Sequence, residues 1–365
     1  MTETTASPVT LPTSPVILVT LTTGLDLGDR TTHFCTLDEQ RQVVGRGKFK
    51  TTREALAREF GGIAPRRIVI EAGSQSLWIS HLLRELGHEA MVVDPRRVQK
   101  LVAGNRKTDR RDAESLARLA VGVPELLGAA HHRTLEAQAD LSMLRSRDIL
   151  VRMRTKLVCH VRGILKSFGF KLPACSASCF HRRAADLIPA NLQPALKPVL
   201  EALGDLDRRI DELDASLQEV AAVRRPEVKV LRQVSGVGPV VAMAYALTVG
   251  DPRRFRRSRD VGAWVGLTPD KRASGDSDPQ LSIHRRGDGY LRRLLVVASH
   301  YILGPFGKDS DLRRYGLRLC ERGGSNGKKR AVVAVARKLA VLLHRLWVSG
   351  VPYEPLRNST KQAVA

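Results

Sequence analysis

VILVTLTTGLDLGDRTTHFCTLDEQRQVVGRGKF, residues 16–49, decides how the first third of the chain is read. Three runs rich in β-branched and apolar residues, 16–28, 32–38 and 42–49, are separated by the turn-like breaks LGDR and LDEQ. The stretch therefore predicts three successive strands, and short turns between them suit an antiparallel meander. The pattern then changes. TTREALAREF (51–60) has helical spacing with Thr51 or Thr52 placed to cap it, and RRIVIEAG (66–73) is a compact apolar strand ending in Glu71. SLWISHLLRELG (76–87) predicts a helix stopped by Gly87, HEAMVVD (88–94) a further strand, and DPRRVQKLVAG (94–104) leads into another helix.

Three strands, helix, strand, helix, strand, helix is the element order of a ribonuclease H-like fold, its later helical crossovers implying parallel neighbours. On that order Asp26 sits on the first strand and Glu71 at the end of the fourth. Asp109 and Asp112, three apart in KTDRRDAESLARL (107–119), share one face of the following helix. A lone D-x-x-D is ordinarily a solvated helix face, and neighbouring carboxylates there repel by a few tenths of a kcal/mol. Joint placement is what argues for a site. Four carboxylates aimed at one point need a cation, and hard divalent ions with oxygen ligands answer that need. Mg²⁺ fits, since it binds a few carboxylates, keeps waters and accepts phosphate oxygens. Two such ions about 3.5–4 Å apart serve in-line phosphoryl transfer. The flanking Arg106, Lys107, Arg110 and Arg111 are then candidates for the phosphate backbone.

Charge points to the same substrate. The 365 residues carry 60 Lys plus Arg against 37 Asp plus Glu, net +23. Residues 1–130 and 131–223 each hold a net +3, whereas 224–365 hold +17. A loaded final third predicts a dedicated polyanion surface with salt-dependent binding to nucleic acid. A membrane surface is the weaker reading, because no run reaches about 18 uninterrupted apolar residues and no lipidation signal is present. Five cysteines without framework spacing imply a reducing cytoplasm. Cys175, Cys179 and His181 lack a clear fourth partner for zinc. Residues 1–15, polar and rich in Pro and Thr, read as a disordered lead without a secretion signal, followed by a first domain at 16–125.

The middle, 132–223, predicts two long helices. In 134–168, Met143, Leu150, Leu157 and Ile164 recur every seven residues beside Leu144, Val151, Val158 and Leu165. In the second, Val199, Leu203, Leu206, Ile210, Leu213, Leu217 and Val220 alternate steps of four and three, a coiled-coil seam. Two helices folding back within one chain would produce the same pattern; the narrow seam favours self-association, as a dimer or tetramer.

The last part, 224–356 before a short tail at 357–365, is helical with polar loops. Gly236 and Gly238 in SGVGP stand between helical segments, where closely spaced backbone N–H groups can meet a phosphate. A plain turn is the ordinary alternative. Residues 268–282 form a Gly-, Ser-, Asp- and Pro-rich loop holding Ser274 before Gly275. Arg285, Arg286, Arg292 and Arg293 follow it, with Tyr290 among them on a helix where it is expected to pack. GGSNGKKR, with Lys328 and Lys329, reads as another basic loop.

GLDLG, VIEAG and KTDRRDAESLARL, then SGVGP, GDPRRF, GLTP…ASG, RRGDGYLRRLL, GKKRAVVAVARKL and VPYEP, occur in that order. The chain resembles the DEDD transposases of the IS110 family of bacterial insertion sequences over about residues 18–356. That resemblance implies a RuvC-like domain carrying Asp26, Glu71, Asp109 and Asp112, a coiled-coil middle and a C-terminal transposase domain. It also implies a serine nucleophile, falling on Ser274, a bridge RNA that guides the protein to double-stranded DNA at element ends and target, and a homo-oligomer. Two departures from the family pattern stand out: Ala273 precedes Ser274 where a second serine is frequent, and His284 replaces a usual serine. The rival functions are a structure-selective nuclease of junction-resolvase type using water as nucleophile, and a basic nucleic-acid-binding protein without activity.

Overall fold

In a computed structural model the protein is described over residues 21–102, 109–128, 132–270, 281–322, 324 and 326–358, with the side chains of Asp109 and Arg110 outside that description. Two compact units divide the chain, one ending at His132 and the other beginning at Arg133.

The first unit is built on a five-stranded sheet of β1 (Thr22–Leu27), β2 (Thr31–Leu37), β3 (Val43–Lys50), β4 (Arg67–Glu71) and β5 (Glu89–Val93), in the order β3-β2-β1-β4-β5. The first three strands pair antiparallel, and β4 and β5 add parallel, as the short turns and the helical crossovers require. Helix α1 (Arg53–Phe60) starts where Thr52 accepts a hydrogen bond from the Ala55 amide, and α2 (Ser76–Glu85) ends at Gly87 in a left-handed turn, φ +89°. Asp94 caps α3 (Pro95–Leu101), and α4 (Asp109–Gly122) follows. Alternation along the strands sorts the core into two layers. Leu25, Ile68 and Ile70 meet Leu56, Phe60 and Ile79 of α1 and α2. On the opposite face Val69 meets Leu116 and Ala120 of α4, and Cys35 meets Ala113 and Ala117.

The second unit opens with a long antiparallel hairpin of α5 (Leu135–Ser167) and α7 (Gln193–Arg224), with the short α6 (Phe180–Ala185) in the connection. Ion pairs mark its register: Asp140 to Arg224 and Arg225, Arg147 to Asp214, Arg154 to Asp207. Val161 and Leu165 pack on Leu196, Leu200 and Leu203 at the far end. The seam expected to seek a second copy is thus largely closed inside one chain, with Leu203, Leu206, Ile210 and Leu217 all buried. The near end is continuous with the C-terminal core, where Leu141, Leu144 and Leu217 join Leu231, Ala242 and Leu339.

That core surrounds α9 (Pro239–Val249), buried along nearly all its length and preceded by α8 (Glu227–Leu231). Helices α10 (Ser258–Trp264), α11 (Gly289–Leu303), α12 (Asp311–Glu321) and α13 (Gly327–Ser349) complete it. The Tyr245 hydroxyl donates to the Ala340 carbonyl at 2.7 Å, satisfying a buried polar group. Lys328 and Lys329, expected in a loop, lie in the first turn of α13. No disulfide joins the five cysteines, and among the described residues no helix is long and apolar enough to cross a membrane.

Candidate active site

The parallel register that pairs Leu25 with Ile70 carries Asp26 alongside Glu71 one step further on, at the carboxyl ends of two adjacent central strands. Neighbouring strands lie about 4.8 Å apart. Both acids take the α4 face: Gly24, two residues before Asp26, lies against Ala113 and Ala117, while Val69, two before Glu71, packs on Leu116. Helix α4 runs antiparallel to β1. Its last turn reaches Arg41 and Val43 at the Thr22 end, and its first turn, beginning at Asp109 and containing Asp112, points toward the Asp26 end. Glu114 fixes this docking through Arg46 at 2.6 Å and Arg118 at 2.7 Å; Arg118 first, then Arg46, hold its carboxyl below the usual range. Asp26, Glu71 and Asp112 are all half-buried, open enough to reach a ligand.

Three segments distant in sequence therefore direct carboxylates to one end of one sheet face. Hard oxygen donors in this set suit a divalent cation such as Mg²⁺ in kind. Among the described residues no three His, Cys, Asp or Glu side chains stand close enough to hold a metal ion. The Asp109 side chain, along with Arg106, Lys107 and Arg110, falls outside the described residues or side chains, while Arg111 is exposed on α4.

In the second unit Ser274 also lies outside the described residues, but the base of its loop is clear. Pro269 bridges Ile283, the Asp270 amide donates to the Ser282 carbonyl at 2.9 Å, and the His284 amide to the Thr268 carbonyl at 3.0 Å. Gly266 and Gly287, both left-handed, pass so close to Arg286 and Trp264 backbone that a β-carbon at either would collide with a carbonyl. Arg285 adopts φ +54° and projects outward with Arg286.

Arg292 and Arg293 depart from the expectation of open phosphate donors. Arg292 donates to the Val265 carbonyl at 2.9 Å and the Arg286 carbonyl at 3.2 Å, so it clamps the loop base. Arg293 pairs with Asp148 at 2.6 Å and lies over the Tyr290 ring. Tyr290 packs as expected, and burial, with Asp148 nearby, pushes its hydroxyl up to about 12. Gly236, left-handed at φ +88°, is wedged against Ile302 and Ala298 of α11, so its turn serves packing; Gly238 stays exposed where α9 begins.

Residues 23–170 match a family model of DEDD transposases of IS110 type, and residues 228–309 match the model "Transposase IS116/IS110/IS902 family". A probable family 20 transposase of Pseudomonas aeruginosa is 31% identical over 340 residues, covering 91% of this chain and 98% of its own length. The transposase for insertion sequence element IS1111A of Coxiella burnetii is 29% identical over 332 residues, 88% of each chain. That for IS1328 of Yersinia enterocolitica is 29% identical over 277 residues, 75% of this chain and 81% of its own.

Proposed function

The chain belongs to the IS110 family of transposases, and we propose that it cuts and rejoins DNA through a serine–DNA intermediate formed at a RuvC-like, ribonuclease H-type carboxylate site. One observation carries the first half of this reading: Asp26 and Glu71 side by side at the strand ends, on the face crossed by the acidic first turn of α4. Strand order β3-β2-β1-β4-β5, three antiparallel and two parallel, supports the fold assignment.

Asp26, Glu71, Asp109 and Asp112 would hold Mg²⁺, which when bound supplies a charge to draw in the scissile phosphate and to stabilise the leaving oxygen. The Ser274 hydroxyl attacks phosphorus, the P–O3′ bond breaks, and the 3′ oxygen leaves as a hydroxyl after taking a proton. Ser274 then carries the 5′ phosphate. Attack by a 3′ hydroxyl of a second DNA end reverses the step and releases the serine. Arg285 and Arg286, both exposed beside the loop base, would neutralise the phosphate, Arg286 giving up a loose contact with Asp270 at 3.8 Å. Ser274 reaching the carboxylates of another subunit requires a homo-oligomer, and family membership is what supports a bridge RNA partner that selects the DNA by pairing.

The test is Ser274→Ala on DNA carrying an element end. Loss of both strand exchange and the detergent-resistant, protease-sensitive protein–DNA adduct is expected. Cleavage that persists without an adduct would instead make water the nucleophile, as in a junction-resolvase-type nuclease. Strand exchange unchanged in Asp112→Asn would remove the carboxylate site from the reaction.

A further inference from the structure

Between α12 and α13 lies a cavity of about 1470 Å³, whose lining also includes Pro269, Ile283 and residues from the 351–358 segment. We propose that this groove binds a single polynucleotide strand, phosphates on its basic walls and bases on its apolar floor. The proposal rests on the reading above only for placing the protein among nucleic-acid enzymes; the groove's own chemistry selects the ligand.

Charge is the first argument. Arg318 on α12 and Arg322 at its C-terminal cap stand one turn apart, while Arg330, Arg337, Lys338 and Arg345 recur on α13 at intervals of seven or eight residues, along one face. Seven residues advance about 10.5 Å, so the stripe offers successive cations along the groove rather than one pocket for a single anion. None of these six has an ion-pair partner among the described residues. Their neighbours behave differently: Arg313 donates to the Gly304 carbonyl at 2.7 Å, and Arg314 pairs with Asp309 at 2.7 Å. On α12, then, Arg313 is tied to backbone carbonyls and Arg314, itself at the groove wall, to Asp309, while Arg318 lines the groove without an ion pair among the described residues.

The floor supplies the second argument. Leu312, Leu319, Val333 and Leu342 line it, with Tyr315 and Tyr353, and the Lys338 ammonium sits 4.2 Å from the Tyr315 ring centroid. A ligand that was only phosphate would gain nothing from such a floor. A duplex keeps its bases turned inward and presents a wide cylinder of phosphates, so it would rest on the rim. A single strand has free base faces that stack on aromatic and apolar side chains while its backbone follows a basic groove. Pro269 and Ile283, which bridge at the base of the segment carrying Ser274, also line the groove, so a bound strand would touch that base.

The full-length protein in EDTA is titrated with fluorescein-labelled oligo(dT) of about 16 nucleotides, and with a duplex of equal length, over a range of salt. Arg337→Gln with Arg345→Gln should weaken single-strand binding about tenfold or more and lower the log–log salt slope by about 1.4, with the melting temperature unchanged. Tyr315→Leu should weaken it about tenfold through lost stacking. Asp112→Asn should bind the strand as wild type does, so failure of the groove and failure of the carboxylate site read separately. Unchanged oligo(dT) binding in the double variant would overturn the proposal, as would an equal loss for duplex. Photo-crosslinking with 4-thiothymidine oligonucleotide gives a second readout. Crosslinks are expected in 311–321 or 327–349, and crosslinks confined to 22–122 would also overturn it.

Discussion

Gly24 of β1 lies directly under Ala113 of α4: a β-carbon on Gly24 would fall on the Ala113 carbonyl oxygen and 2.7 Å from the Ala117 amide nitrogen. The helix can reach the sheet only because residue 24 has no side chain. Asp26 and Asp112 each neighbour this contact, Asp26 two residues along the strand and Asp112 one residue before Ala113, so its closeness sets their separation.

Substituting Gly24 should therefore affect catalysis as well as stability. Overpacking of a well-filled contact costs about 1–3 kcal/mol, and the backbone atoms met here cannot rotate aside. Gly24→Val should lower the melting temperature and abolish strand cleavage while leaving binding by the second unit intact. Calorimetry and a gel-shift assay measure both. Full cleavage in a folded Gly24→Val protein would show that the α4 approach does not position the acids.

Asp112→Asn separates charge from shape. The residue is half-buried and makes no contribution to the core. Loss of a support behind a metal ligand costs about 10–100-fold, so loss of a ligand itself should cost at least about hundredfold in cleavage rate. DNA binding in EDTA should be unchanged or slightly tighter, since a negative charge has gone from a polyanion site. Cleavage within a factor of two or so of wild type, at any Mg²⁺ concentration, would remove Asp112 from the ligand set.

Relationships local in the chain are written in its sequence, and those made by the fold are not. Thr52 as a cap, Gly87 as a stop and the turns between β1, β2 and β3 are decided within a few residues, and all were legible. So was the order of elements, because strand and helix periods differ. The Gly24–Ala113 contact was not, since it joins positions that only the fold brings together. The 3–4 seam of α7 reads alike for a coiled coil between chains and a hairpin within one; only the partner face on α5, with Arg147 opposite Asp214 and Arg154 opposite Asp207, settles the intrachain pairing. Arg292 and Arg293 looked like phosphate donors because a sequence does not show the Val265 carbonyl or Asp148 that claims them. The α12–α13 groove had a signal, the spacing Arg330, Arg337, Lys338, Arg345, but its other wall lies on a separate helix.

Asp140 tests the hairpin's attachment to the C-terminal core. Its side chain is 2% exposed and is held by Arg224 at 2.8 Å and Arg225 at 2.9 Å. Removing one partner of a buried charge cluster costs about 3–5 kcal/mol, and here the lower end applies: Arg225 loses its counter-ion, whereas the more exposed Arg224 keeps Glu136 at 2.7 Å. Asp140→Ala should lower the urea midpoint accordingly without changing the m-value. A loss below about 1 kcal/mol would show the arginines re-solvating, as a surface pair does.

Tyr290 is the second hydroxyl near the loop base, and its acidity supplies a pH test. Burial raises it from an ordinary value near 10 to about 12, with Asp148 adding to the rise. A folded value above the unfolded one means that the protein binds this proton more tightly than the unfolded chain does. The resulting stability is complete below pH about 10 and is lost as pH climbs through the folded value of about 12. Chemical denaturation across that window should show a fall that Tyr290→Phe reduces. Its hydroxyl also donates weakly to the Leu144 carbonyl, at 3.4 Å, so the substitution removes one long hydrogen bond and keeps the ring. If Ser274 is the nucleophile, Tyr290→Phe should keep strand exchange within about threefold of wild type, and the protein–DNA adduct should still form. Disappearance of the adduct in Tyr290→Phe, with Ser274→Ala retaining it, would transfer the covalent role to the tyrosine.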